Sequence, residues 1–110
     1  MAKKIVIANW KMNPQTLKEA ENLFLGISKI ANRTKNVEVV ICSPFVFLSN
    51  LKKKNNKKIS LGAQNTYFEN SGPHTGEVSP SMLRSLGLKY VIVGHSDRRA
   101  MGENDEMISK

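Results

Sequence analysis

Short apolar runs rich in β-branched residues alternate with segments of helical period along this chain of 110 residues. The runs are IVIAN at 5–9, VEVVIC at 37–42, ISLGAQN at 59–65 and KYVIVG at 89–94. The first run lacks polar alternation, which predicts a strand buried on both faces. Strands that alternate with helices in this order predict a parallel sheet covered by helices.

Helix-start signals lie between the apolar runs. Thr16 and Glu19 form a T-x-x-E capping box ahead of an apolar stripe, which predicts a helix over 16–32. Ser43 and Ser79 are predicted N-caps, because each precedes a proline at what would be the first helical position. The remaining boundary residues are Gly87, which ends the third helix, and Asn104, which begins a helix that extends to Lys110.

Polar residues follow the predicted strands at their carboxyl ends, where parallel βα folds gather their chemistry. Asn9 and Lys11 follow the first strand, and His95 and Asp97 follow the fourth. A sheet that curls into a barrel brings these four side chains to one mouth. Amide and ammonium groups stabilise negative charge on a substrate oxygen, and an imidazole can move a proton.

Each of these residues also has a plain structural interpretation. Lys11 fits a solvated surface lysine, Asn9 fits a turn cap, and His95 fits a helix cap. Asp97 with the two arginines that follow fits a surface charge cluster of little energetic value. Composition and spacing alone leave both interpretations open.

The chain is basic, with a formal net charge of +8, and its densest basic run is KKKNNKK at 52–58. We interpret this run as a solvated connection and expect no nucleic-acid partner, because the run contains no aromatic residue. RNA or polyanion binding by the run remains the alternative. No apolar stretch approaches the ~20 residues of a membrane span, and residues 1–10 do not resemble a signal peptide. The single Cys42 therefore predicts a reducing, cytoplasmic compartment.

Four strings occur in order over essentially the whole chain: ANWKMN at 8–13, GAQN at 62–65, HTGE at 74–77 and GHSDRR at 94–99. Together they closely resemble the triosephosphate isomerase family. The resemblance implies a (β/α)8 barrel of which this chain supplies about the first half, as a single partial barrel domain over residues 1–110. It also implies interconversion of dihydroxyacetone phosphate and glyceraldehyde 3-phosphate through an enediol, in glycolysis and gluconeogenesis, with no cofactor and no metal.

The resemblance assigns catalytic and substrate-binding roles residue by residue. It makes Asn9 and Lys11 the residues that bind substrate and stabilise its oxyanion. It makes His95 a neutral electrophile that polarises the carbonyl and passes protons between the two oxygens, since a helix N-terminus disfavours the imidazolium. Asp97 stands where the family carries glutamate; it would hold Lys11 in place through a backbone shift or a bridging water.

The polar segment 66–79 resembles the loop through which the family forms dimers. The resemblance implies that Thr75 lies near Asn9 and His95 of a partner subunit. It also implies that Glu77 pairs with Arg98 of that subunit. A homo-oligomer is therefore expected.

A barrel of this kind takes ~250 residues, so four strands are about half of one. The family's catalytic glutamate, lid loop and phosphate loops have no counterpart here, so we expect residues 1–110 alone to be nearly inactive. We expect Ile5, Ile7, Val39 and Ile41 to form an inner face without its partner, between two edge strands. Self-association, pairing with a complementary half, or marginal stability would follow. The alternative function is a non-catalytic half-barrel assembly module.

Overall fold

The computed structural model describes residues 4–55 and 58–109 as a parallel sheet covered by helices. The elements are β1 (Lys4–Asn9), α1 (Leu17–Arg33), β2 (Val37–Ser43), α2 (Phe45–Lys54), β3 (Ile59–Ala63), α3 (Pro80–Ser85), β4 (Tyr90–Val91), α4 (Ser96–Arg99) and α5 (Asp105–Ser109). Within these residues the sheet has four strands in the order β1-β2-β3-β4, and every neighbouring pair is parallel. The predicted fold class, the first half of a βα barrel, is confirmed.

Two of the predicted helix caps are present. The Thr16 hydroxyl accepts a hydrogen bond from the backbone N–H of Glu19 at 3.2 Å and donates one to its carboxylate at 3.0 Å. The Ser79 hydroxyl accepts from the backbone N–H of Met82 at 3.1 Å, with a proline directly after it. Gly87 follows α3 with a φ of 76°, a left-handed conformation in which glycine ends a helix at little cost.

The predicted cap at Ser43 is wrong. Ser43 is the last residue of β2 and still pairs with Ala63 of β3, so it cannot begin a helix. Pro44 therefore takes the N-cap position, and its residue type offers no capping side chain. The third and fourth strands also end early: β3 stops at Ala63 rather than at 65, and β4 covers two residues of the predicted 89–94.

The first part of the predicted solvated connection over 52–58 is exposed as expected, but it is helical rather than a connection. Residues Lys52, Lys53 and Lys54 form the last turn of α2, where cations interact favourably with the negative end of the helix dipole. Residues 56–57 lie outside the described residues, as does Lys110, to which the last helix was predicted to extend. None of the described helices is long and apolar enough to cross a membrane.

The hydrophobic core lies between the sheet and the helices α1 and α2. Its fully buried members include Phe24 of α1, Leu48 and Leu51 of α2, and Ile41 of β2. The strand residues Ile59, Leu61 and Ala63 of β3 complete the sheet side of this cluster. The apolar stripe predicted for α1 therefore faces the sheet as expected.

The predicted inner face of the sheet is wrong at two positions. Val39 and Ile41 belong to the core beneath the helices. In the β1–β2 register, Ile5 pairs with Glu38 and Ile7 pairs with Val40. Side chains that pair across parallel strands share a face, so Glu38 and Val40 continue the inner face, one residue away from the prediction.

The two edge strands of the described sheet expose apolar side chains. Ile5, Val6 and Ile7 of β1 are each more than half exposed. Val91 and Val93, at the other edge, are between two-fifths and half exposed. β1 pairs only with β2, and β4 only with β3, among the described residues. Both edges therefore present unpaired backbone groups beside apolar surface.

A polar network joins β2 and β3 to the residue before β4 on the inner face. The Glu38 carboxylate accepts hydrogen bonds from the Ser60 hydroxyl at 2.8 Å and from the Lys89 ammonium at 3.0 Å. The Ser60 hydrogen bond, followed by the Lys89 interaction, holds the pKa of Glu38 at about 2, below its ordinary value of 4.5. The ionised carboxylate is thus the form that the folded sheet favours.

This network predicts a loss of stability in acid. Because the pKa of Glu38 is lower in the folded state than in the unfolded state, its stabilisation is complete above about pH 4.5 and declines as the pH falls towards 2. Urea unfolding of wild type and Glu38→Gln at several pH values measures this. The difference between their urea midpoints should be largest near neutrality and shrink below pH 4.5. Ser60→Ala should differ from wild type with the same pH dependence but by a smaller amount. A difference that does not change with pH would contradict the assignment.

Candidate functional site

The first part of the site follows β1, where the chain turns sharply. Asn9 ends the strand, and Lys11 adopts a left-handed backbone conformation with a φ of 57°. The Lys11 N–H donates a hydrogen bond to Asn9 Oδ1 at 2.9 Å. A left-handed conformation costs a non-glycine residue of order 1–3 kcal/mol and persists only where its surroundings hold it. The Asn9 oxygen thus holds this turn, and the rest of its amide group is an NH₂ donor.

The second part of the site follows β4. His95 is the N-cap of α4, and its Nδ1 accepts a hydrogen bond from the backbone N–H of Asp97 at 3.1 Å. An Nδ1 that accepts carries no proton, so the neutral ring bears its hydrogen on Nε2. The site therefore offers an imidazole N–H donor at Nε2, and the short helix expected after His95 is present.

Lys11 and Asp97 connect the two parts. The Lys11 ammonium lies 3.6 Å from Asp97 Oδ2, within ion-pair range, and both side chains are 57% exposed. The shorter side chain of aspartate reaches the lysine directly, so of the two expected alternatives, a backbone shift or a bridging water, the water is not needed. Because both groups are exposed, this pair is worth ~1 kcal/mol at most.

The four predicted site residues all line one cavity of about 250 Å³. Its lining comprises Asn9, Lys11, Met12, Phe45, Gln64, Asn65, His95, Asp97, Arg98 and Met101. In a flat sheet, three strand spacings of about 4.8 Å would hold the ends of β1 and β4 roughly 14 Å apart. The shared cavity therefore reflects the curl of the sheet. Among the described residues, Asp97 is the only carboxylate that lines it.

The predicted interface residues lie beside a second, larger cavity. Thr75 and Glu77 line it together with Arg98, and its volume is about 490 Å³. Arg98 donates a hydrogen bond from Nε to the Glu103 carboxylate. Thr75 does not line the cavity that holds Asn9 and His95 of its own chain.

Two residues that the sequence interpretation did not single out contribute to these cavities. Gln64 donates hydrogen bonds to the Lys11 and Cys42 carbonyl oxygens, and the Glu103 carboxylate accepts one from Arg98. The signal for Gln64 was its place after a strand, inside the string GAQN. The signal for Glu103 was weaker: an acidic residue five positions after Arg98.

A curled parallel sheet in chain order, with a polar cavity at the carboxyl ends of its strands, defines a protein of the βα-barrel class. The family model described as triosephosphate isomerase matches residues 4–110. The chain belongs to the triosephosphate isomerase family, which confirms the resemblance found in its sequence.

Curated relatives agree with this assignment. The chain is 46% identical to the triosephosphate isomerase of Natranaerobius thermophilus over all of this chain and 43% of the relative. It is 44% identical to that of Cytophaga hutchinsonii over 99% of this chain and 44% of the relative. It is 46% identical to that of Finegoldia magna over all of this chain and 44% of the relative. The chain therefore spans less than half the length of these relatives.

Proposed function

We propose that residues 1–110 form a single partial barrel domain, the amino-terminal portion of a triosephosphate isomerase. The complete protein would interconvert dihydroxyacetone phosphate and glyceraldehyde 3-phosphate. The observation that carries this proposal is that Lys11, Asn9 and His95 line one cavity. Their ammonium, amide and imidazole N–H groups are the kind of donors that an enediolate needs along its two oxygens.

The proposed mechanism uses each donor where negative charge develops. Nε2–H of His95 donates to the substrate carbonyl oxygen, and this hydrogen bond strengthens as the oxygen becomes an enediolate oxygen. The imidazole then passes a proton between the two oxygens, and the Lys11 ammonium neutralises charge on the bound anion. The proton on carbon requires a carboxylate base. We assign that step to the family's glutamate, which has no counterpart in residues 1–110.

We propose that the segment 66–79 mediates association with a second copy. Thr75 would approach the partner's cavity, and Glu77 would pair with Arg98 of the other subunit. The hydrogen bond from Arg98 to Glu103 occupies one of the five guanidinium donors, so others can bind a second carboxylate. The hydrogen bond from the Tyr67 N–H to the Val78 carbonyl, at 2.8 Å, joins the two ends of this segment and supports such a docking element.

A non-catalytic assembly module is the second candidate function. The exposed side chains of Ile5, Val6 and Ile7 favour it, because an apolar strand edge pairs readily with further strands. In this reading residues 1–110 pair with a complementary half barrel and contribute no chemistry of their own. The two candidates differ in what the assembled barrel does.

An isomerase assay separates the two functions. The complete protein should interconvert the two triose phosphates, whereas residues 1–110 alone should show almost no turnover. Adding the carboxyl-terminal half of a relative to residues 1–110 should restore turnover if Lys11 and His95 contribute chemistry. Assembly without turnover would support the module. A complete protein that catalyses no interconversion would refute the isomerase assignment.

Asp97→Glu is expected to leave kcat/KM of the complete protein unchanged or to raise it modestly, up to about threefold. The Lys11–Asp97 distance of 3.6 Å leaves room for closer pairing, and a side chain longer by one methylene can close it. Asp97→Ala should instead lower kcat/KM, because the ammonium loses its carboxylate partner. Steady-state kinetics of the three proteins provide the measurement. Loss of activity in Asp97→Glu would show that Asp97 does not act by positioning Lys11.

A further inference from the structure

Gln64 lies directly after β3, and its amide points across the carboxyl ends of the first two strands. Its Nε2 donates hydrogen bonds to the Lys11 carbonyl oxygen at 2.7 Å and to the Cys42 carbonyl oxygen at 3.0 Å. The same nitrogen lies 3.4 Å from Asn9 Oδ1. The Gln64 side chain therefore contacts the end of β2 and two residues at or just after the end of β1, Asn9 and Lys11.

These contacts hold the backbone of Lys11, which is the strained residue of the site. The left-handed backbone of Lys11 needs external support, and its N–H is already held by Asn9. Gln64 holds the other side of Lys11 by donating a hydrogen bond to the Lys11 carbonyl oxygen. The two amide side chains therefore fix the peptide units on both sides of the Lys11 Cα, and with them the direction in which its side chain leaves the backbone.

The other contact to Lys11 is a weaker restraint. The pair with Asp97 joins the tips of two side chains that are 57% exposed, at 3.6 Å. Gln64 is partly buried, its shortest bond is nearly 1 Å shorter, and it acts on the backbone. It is also uncharged, so it orients Lys11 without neutralising the ammonium that would bind an anion.

We infer that Gln64 is a positioning residue: its amide holds Lys11 and Asn9 in the conformation that presents the ammonium and the amide donor to a phosphorylated substrate. This inference rests on the proposed function only for the substrate. The conformational part concerns the free protein, where it can be measured separately.

The first experiment measures the free protein by NMR hydrogen exchange. Both Nε2 hydrogens of Gln64 should exchange more slowly than those of Gln15, whose exposed amide donates a single bond, to the Met12 carbonyl at 2.9 Å. In Gln64→Met the backbone N–H of Lys11 should exchange about tenfold faster or more, because its local structure opens more often. Unprotected Gln64 hydrogens in wild type would overturn the inference without any variant.

The second experiment measures turnover in the complete protein. Gln64→Met and Gln64→Glu should each lower kcat/KM about 10- to 100-fold, since a small misplacement of a binding group has effects of this size. Asn55→Leu is the matched control: it removes an amide donor to the Ile59 carbonyl at 2.6 Å, before β3 rather than after it. It should change kcat/KM less than about threefold.

The outcomes separate the inference from the proposed function. An inactive wild-type protein refutes the isomerase, while hydrogen exchange still decides whether Gln64 holds Lys11. Faster Lys11 exchange in Gln64→Met together with unchanged kcat/KM would overturn the catalytic part of the inference. Equal losses of kcat/KM in Asn55→Leu and Gln64→Met would assign the effect of Gln64 to general stability, which also overturns it.

Discussion

Lys11→Met should lower kcat/KM of the complete protein for triose phosphates about 10²- to 10³-fold, the typical effect of removing one preorganised donor from an oxyanion site. Methionine keeps the length and apolar stem of lysine but carries no charge. Lys11 lines the same cavity as Asn9 and His95. Its loss should raise KM, because the bound anion loses a counter-ion, and lower kcat, because charge grows in the transition state.

Two further variants make this result interpretable. Lys18→Met removes an exposed lysine from the first turn of α1, outside the lining of the 250 Å³ cavity, and should leave the kinetics unchanged. Lys11→Arg keeps the charge on a planar, differently shaped group and should fall between wild type and Lys11→Met. If Lys11→Met and Lys18→Met had equal kinetics, the ammonium would have no part in catalysis.

Phe24→Ala should reduce the free energy of unfolding by about 3–5 kcal/mol, the usual range for truncating a buried aromatic side chain. Phe24 is 0% exposed and belongs to the hydrophobic core between the helices and the sheet. Domains of this kind have only ~5–15 kcal/mol of stability, so the variant would be close to unfolding. Urea unfolding followed by far-UV circular dichroism measures the change.

The neighbouring Leu23→Ala provides the comparison. Leu23 is 45% exposed on the same helix, so its truncation should cost no more than ~1 kcal/mol. Both substitutions introduce alanine, the best helix former, so neither loses helix propensity. Equal destabilisation by the two variants would show that the core described between α1 and the sheet does not hold the fold together.

Local signals in the sequence were sufficient for the starts of α1 and α3 and for the order of the elements. Thr16 and Ser79 are followed by residues that complete their caps, so the starts of these two helices depend on neighbours within three positions. Strand ends were less predictable. Ser43 pairs with Ala63 of another strand, and nothing near Ser43 in the sequence records that distant partner. The face assignment of Val39 and Ile41 failed for the same reason, since it depends on register with β1.

The reactive groups of the candidate site could be predicted from the sequence, but the residues that hold those groups in place could not. Lys11 and His95 stand at strand ends within distinctive strings, so their meeting in one cavity followed from the expected curl. The role of Gln64 depends on the left-handed φ of Lys11 and on hydrogen bonds that span more than 50 residues. Such bonds are fixed by tertiary structure and have no sequence pattern of their own.

The pairing of β4 with β3 is short, and this affects how the cavity keeps its shape. Its two pairings, Gly62 with Tyr90 and Ala63 with Val91, are followed by one further hydrogen bond, from the Ile92 N–H to the Ala63 carbonyl. The imidazole therefore follows the shortest strand of the described sheet. A ligand that bridges Lys11 and His95 would link β1 to the segment after β4, so occupancy would protect the segment around Ile92 from proteolysis.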